Sequence, residues 1–267
     1  MTLIFSGNRD RFCPSRFALV VGNARSGTTI VGSIIDCHPN MLCANETRAS
    51  AKFWDDLSKP DIIQELINNS EANLQSSRPS SGYVYGIETS TKHFEDINVI
   101  GDKIWNPALL LLHGNQNLLQ RLAETLGCEV VIVHCVRHPF DVIATMHHRS
   151  GASLLNRTRW YFMHCEAAQA IIERSDFKFY TVFHERLIAH PEIEIQMIYR
   201  FLGHDMPGEI IDRIKRVLLP SPKKTRETVD WPLVVVDEIE SQMKRFRFLD
   251  QYAGEGPESR LSDINRS

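Results

Sequence analysis

The segment Gly22-Asn23-Ala24-Arg25-Ser26-Gly27-Thr28-Thr29 has the G-x-x-x-x-G spacing of a nucleotide-binding phosphate loop. Glycines let backbone N–H groups converge on an anion, and a following helix adds unpaired donors and partial positive charge. The position after Gly27, a lysine in nucleoside triphosphatases, is Thr28, while Arg25 inside the loop supplies the cation. A triphosphatase also needs an aspartate on a neighbouring strand to help hold magnesium. Here the other clear strand runs instead into Arg137-His138-Pro139. These residue types favour a phosphate-rich ligand held by cations without a magnesium cage, and they disfavour a kinase or ATPase.

Alternating strands and helices must carry those groups. Phe17–Gly22 and Glu129–Val136 read as buried strands, and Phe177–Phe183 as a third. Ile30, Val31, Ile34 and Ile35 repeat at helical spacing from Thr28 to Asp36, and His38-Pro39 stops that helix. A second helix follows Pro139 with Val142, Ile143 and Met146. A third carries Trp160, Met163, Ala167 and Ile171. A fourth, Pro191–Leu202, puts Ile193, Met197, Ile198 and Phe201 on one face. A short helix is expected at Asp61–Asn68, then a polar loop, SSRPSSG, and a strand-like Tyr83–Glu88. Residues 52–82 and the proline-rich 219–232 read as loops or lids over one site. The fold class expected is α/β, a P-loop NTPase-like three-layer fold with a central, mainly parallel sheet flanked by helices.

Composition sets outer limits. The chain has 267 residues, 43% hydrophobic, enough for one sizeable core. One domain is expected over 1–267, with its core at about 16–250 and a polar tail at 253–267. A formal net charge of −3 gives no footprint for nucleic acid or a membrane surface, so neither is expected as a partner. No apolar run approaches the roughly 18 residues of a membrane helix, and the N-terminus shows no signal-peptide pattern. The six cysteines form no C-x-x-C pair and read as buried free thiols in a reducing, cytoplasmic setting. Asn45-Glu46-Thr47 matches a glycosylation acceptor, a match that carries no weight without a secretory route.

The motifs resemble those of sulfotransferases that use 3′-phosphoadenosine 5′-phosphosulfate (PAPS). The 5′-phosphosulfate loop of that family reads (K/R)-S-G-T-T, matched by Arg25-Ser26-Gly27-Thr28-Thr29. Its 3′-phosphate motif is a strand-end arginine, x-P-x-D-V and a later serine. Arg137-His138-Pro139-Phe140-Asp141-Val142 matches, with Thr145 in the serine position. Phe183-His184-Glu185-Arg186-Leu187 is similar to the Y-E-D-L segment, departing at His184 and Arg186. Around Glu46 the pattern resembles tyrosylprotein sulfotransferases: R-S-G-T-T, then Asp36-Cys37-His38-Pro39, then Cys43-Ala44-Asn45-Glu46-Thr47-Arg48. Those enzymes are membrane-anchored and secretory, features this sequence does not display.

The resemblance implies a site. PAPS is the implied donor and PAP the product, with no metal. Arg25 through Thr29 would hold the 5′ end, and Arg137 and Thr145 the 3′-phosphate, with His184 beside them. Lys223 and Lys224 fall where the family has a late basic loop, in a run that ends in Asp230-Trp231. Glu46 is the implied general base, with His93, His38 and Glu88 as rivals, His38 reading rather as a helix stop. Lys103 and Arg25 would steady the leaving phosphate, and Arg48 and His93 would lie near the acceptor. The acceptor is a hydroxyl or phenol on a small molecule or peptide, its pocket shaped by residues 49–100 and 146–165, and a homodimer is left open. The alternatives are a P-loop kinase or NTPase, and a non-catalytic module that binds PAP.

Overall fold

The computed structural model describes residues 3–4, 12–47, 56–76, 78–80, 83–88, 92–115, 117–174 and 176–257. Arg48 and residues 258–267 of the polar tail lie outside them.

Five parallel strands form the central sheet: β1 (Arg16–Gly22), β2 (Met41–Asn45), β3 (Val99–Lys103), β4 (Glu129–Val136) and β5 (Lys178–Phe183), in the order β2-β3-β1-β4-β5. β1 is central because it is apolar on both faces, and Phe17–Gly22 are all buried. In register, Phe17 sits between Ile100 and Val130. Side chains alternate across the sheet. Phe17, Leu19 and Val21 pack with α2 (Lys59–Gln75), α3 (Ala108–Gly114), α4 (Leu118–Leu126) and α6 (Leu154–Ile172). Ala18 and Val20 pack on the other face with α1 (Thr28–Cys37), α7 (His184–Ala189), α8 (Pro191–Phe201) and α9 (Ile210–Lys215). A third cluster joins α5 (Pro139–Ser150), α6 and α10 (Leu233–Met243). The result is the expected three-layer α/β architecture.

Several boundaries and faces differ from the sequence reading. The expected Asp61–Asn68 helix runs over Lys59–Gln75, because Ser58 caps it and Asn73 bonds back to the Asn69 carbonyl at 2.8 Å. The stretch read as a polar loop forms a small antiparallel pair, Pro79–Ser80 with Tyr83–Val84, and the expected strand at Tyr83–Glu88 is confined to its first two residues. On α8, Ile193 and Met197 point outward at 59% and 41% exposure. The buried face is Ile195, Ile198 and Tyr199, because the Tyr199 hydroxyl donates to the Ile34 carbonyl at 2.7 Å. Met163 likewise faces outward on α6, where Phe162 and Cys165 are buried instead. Four cysteines are buried free thiols, but Cys13 is exposed and Cys128 intermediate.

Candidate functional site

The chemically active groups stand together at the carboxyl ends of the parallel strands, where such sheets place ligands. β1 ends in the phosphate loop, β2 in Glu46, β3 in Lys103, β4 in Arg137 and β5 in His184.

The loop is folded to receive an anion. Arg25 and Gly27 have left-handed backbones, φ 76° and 92°, so the chain curls about the loop's concave side. Inside it, the Ser26 hydroxyl donates to the Asn23 carbonyl at 2.5 Å. α1 begins at Thr28 with no side-chain cap and no acidic residue in its first turn. Its first N–H groups therefore lack the usual competing oxygen. Gly27 is needed for a second reason. A Cβ there would lie 2.6 Å from His184 Nδ1, so the half-buried imidazole packs directly on the loop.

A cavity of about 460 Å³ opens between this loop, α5 and the 217–228 segment. Arg25, Gly27, Arg137, Thr145, His184, Lys223 and Lys224 all contribute to its wall. Arg137 is 8% exposed, and its guanidinium donates to the carbonyls of Arg25 at 3.2 Å and Lys223 at 2.6 Å. Thr225 Oγ1 lies 3.5 Å away. Among the described residues no carboxylate pairs with Arg137, and its buried Nε has no hydrogen-bond partner. His184 Nδ1 is also buried without one. Burial, with Arg137 adding to it, pushes His184 down to about 3, so the ring is neutral. The Thr145 hydroxyl donates to the Asp141 carbonyl at 2.7 Å and lies 3.3 Å from Thr225 Oγ1. Burial and then the Arg149 guanidinium pull Arg25 below its ordinary value, while Tyr85 and Glu46 act the other way.

The late basic loop divides its cations. Lys223 and Lys224 face the cavity, whereas Arg226 pairs with Asp141 at 2.7 Å. Trp231 donates to the Arg226 carbonyl at 2.8 Å and sits edge-on to Phe140, joining the core and tying the loop to α5.

Glu46 and Lys103 meet in an ion pair at the ends of adjacent strands. Lys103 is 4% exposed, and the Glu46 side chain keeps 42% of its surface. The rival bases lie elsewhere. His38 is buried at the end of α1, between the Asp205 carbonyl at 3.2 Å and the Asn40 N–H at 3.1 Å, so it stops the helix. His93 is exposed in a two-residue strand and, like Glu46 and Lys103 themselves, is not part of the cavity wall. Glu88 faces Arg216 at 3.6 Å on the surface.

Three contributors escaped the sequence reading. His148 and Arg149 line the cavity and could have been found from helical spacing, three and four residues beyond Thr145. Tyr85 also lines it, but it follows a two-residue strand that leaves no periodic signal. Beneath the site, Arg78 and Lys92 converge on Asp36 at 3.1 and 3.3 Å, all three buried. That cluster ties both ends of the 78–92 segment to α1.

The family model for the sulfotransferase domain matches residues 16–247. The chain belongs to the sulfotransferase family. A 68-residue stretch is 34% identical to protein-tyrosine sulfotransferase A of Caenorhabditis elegans, and it covers 21% of this chain and 18% of that protein. The sulfotransferase domain of the Synechococcus PCC 7002 olefin synthase superposes with a TM-score of 0.52 at 15% identity, over 90% of this chain and 98% of that one. Sulfotransferase STF9 from Mycobacterium avium gives 0.51 at 11% identity, over 91% and 78%. At those identities the likeness concerns the fold alone. PAPS, the donor of this family, suits the cavity chemically: an uncapped helix end adjoins a lining that holds Arg25, Arg137, Lys223 and Lys224, and Arg137 Nε and His184 Nδ1 are buried without partners. Among the described residues no group of three or more His, Cys, Asp or Glu side chains is placed to hold a metal ion.

Proposed function

We propose that this sulfotransferase binds PAPS with its two anionic ends on two groups of cavity-lining residues, the phosphate loop and the Arg137 side, and uses Glu46 to deprotonate a hydroxyl or phenol acceptor. PAPS supplies the sulfuryl group. Arg25, Ser26, Gly27, Thr28 and Thr29 would hold the 5′ end, with loop amides and the α1 N-terminus as donors. Arg137, Thr145, Lys223 and Lys224 would hold the 3′-phosphate, and His184 would seal the loop against them. The observation that carries this reading is Arg137: a buried guanidinium, without a carboxylate partner among the described residues, on the cavity that the phosphate loop also lines. Planar guanidinium donors suit bidentate phosphate binding.

On the acceptor side, the Glu46 carboxylate is exposed enough to meet a hydroxyl and is held by Lys103. It would take the acceptor proton, while Arg25 and Lys103 offset charge on the departing phosphate. Positioning and charge stabilisation would supply most of the rate. Incubation with sulfur-labelled PAPS and a panel of aryl alcohols, alkyl alcohols and tyrosine peptides tests this. Label on a hydroxyl with equimolar PAP release is expected. PAP binding with no transfer to any acceptor would leave a binding module and end the enzymatic reading.

A further inference from the structure

The turn that presents Glu46 is unusual. Glu46 has φ 56°, a left-handed conformation that is strained for a non-glycine residue. Three consecutive residues are fastened there. Asn45 N donates to Asn69 Oδ1 at 2.7 Å, and Asn69 Nδ2 returns a bond to the Asn45 carbonyl at 3.3 Å. Glu46 N donates to the Lys103 carbonyl at 2.8 Å, extending the β2–β3 ladder past its last pair. Thr47 donates from Oγ1 and from N to Asp102 Oδ2, at 2.9 and 3.3 Å.

Asp102 is the costly member. It is 0% exposed on β3, in one row with Ile100 and Ile104, where an apolar side chain would continue the core. A buried carboxylate is unfavourable unless fully bonded, yet Oδ1 has no partner. Its hydrogen bonds go to Thr47. Alternation along β3 then sends Lys103 to Glu46 and Asp102 to the residue after it. Two neighbouring residues on one strand therefore grip one turn from opposite faces of the sheet.

We infer that Asp102, acting through Thr47, is a positioning residue that holds the Glu46 turn and aims its carboxylate beside Lys103. The inference rests on the reading of Glu46 as base. Burial, which raises Asp102 to about 6, shows that the fold tolerates an energetically poor group at this point.

The test uses Thr47→Val and Asp102→Asn, both near-isosteric, with Thr47→Ser as the conservative control and Glu46→Gln for reference. Carbon-13 in the glutamate carboxyls gives a Glu46 resonance, identified by its loss in Glu46→Gln. Transfer is followed with labelled PAPS and phenol. Thr47→Val and Asp102→Asn are expected to move the Glu46 resonance and slow kcat roughly 10–100-fold at unchanged donor KM, and Thr47→Ser to restore both. An unmoved resonance and unchanged kcat in both variants overturn the inference, even where Glu46→Gln is slow. A full-rate Glu46→Gln defeats the base reading and the inference with it. Loss of folding in both Thr47→Val and Asp102→Asn would mark the pair as structural and also overturn it.

Discussion

Arg137 and Glu46 do separable work, and their variants should fail differently. Arg137 donates to two backbone carbonyls and lies 3.5 Å from Thr225 Oγ1, while its buried Nε has no hydrogen-bond partner. A hydrogen bond to a charged group is worth about 1.5–3 kcal/mol. Arg137→Ala should therefore weaken PAP roughly 10–100-fold by calorimetry and raise donor KM in step. Unchanged PAP affinity would remove Arg137 from the 3′ site. Glu46 lies on the acceptor side, and a general base contributes about 10²–10⁴ in rate. Glu46→Gln should lower kcat by at least about 100-fold while PAP binds as before; a variant of wild-type rate would dismiss Glu46 as base.

At the scale of elements, the strand-to-helix turns carry the site, and two of them were legible. Gly22–Thr29 and Arg137–Thr145 follow strands whose apolar, β-branched runs are plain in sequence, so residue type and placement agreed. The β2 and β3 strands were not legible. Met41–Asn45 and Val99–Lys103 are five residues each and mix small, polar and charged side chains, Asp102 and Lys103 among them. Glu46 and Lys103 were thus identified by resemblance, while the turn that joins them was invisible. The faces of α6 and α8 were misread for a related reason. Spacing alone admits two apolar stripes, and a buried hydroxyl bond from Tyr199 decides between them on α8. The phosphate loop makes its own prediction. Gly27→Ala places a Cβ at φ 92° and 2.6 Å from His184 Nδ1. Strain of roughly 1–3 kcal/mol should lower the melting temperature and weaken PAP together. Melting and affinity equal to wild type would mean the loop does not need its left-handed turn.

Across the whole molecule, burial holds several histidines neutral. His134 and His38 are pushed down to about 4, His138 and His184 to about 3. In the unfolded chain histidine titrates near 6.5. Between those limits the unfolded state holds more protons, so stability falls as pH drops from about 6.5 toward 4. Asp102 runs the other way. Its carboxyl, raised to about 6, takes up a proton earlier in the folded state and offsets part of the loss between about 6 and 3.8. His164 and His204 are also lowered by burial and the Asp141 carboxyl is also raised by it, so six histidines stand against two aspartates and the net is a fall. The melting temperature should decline from pH 7 to pH 5 by thermal denaturation, and a flat or rising profile would contradict the neutral buried histidines.

The pairing of a phosphate loop with Arg137 makes one demand that no other reading of the chain makes. Calorimetry with PAP and with 5′-AMP on the wild-type protein and on Arg137→Ala isolates the 3′-phosphate, since the ligands differ only there. The wild type should bind PAP roughly 10–100-fold more tightly than 5′-AMP, and Arg137→Ala should abolish most of that preference. Equal affinity of the wild type for the two nucleotides would contradict the placement of a single adenosine bisphosphate between Arg25 and Arg137.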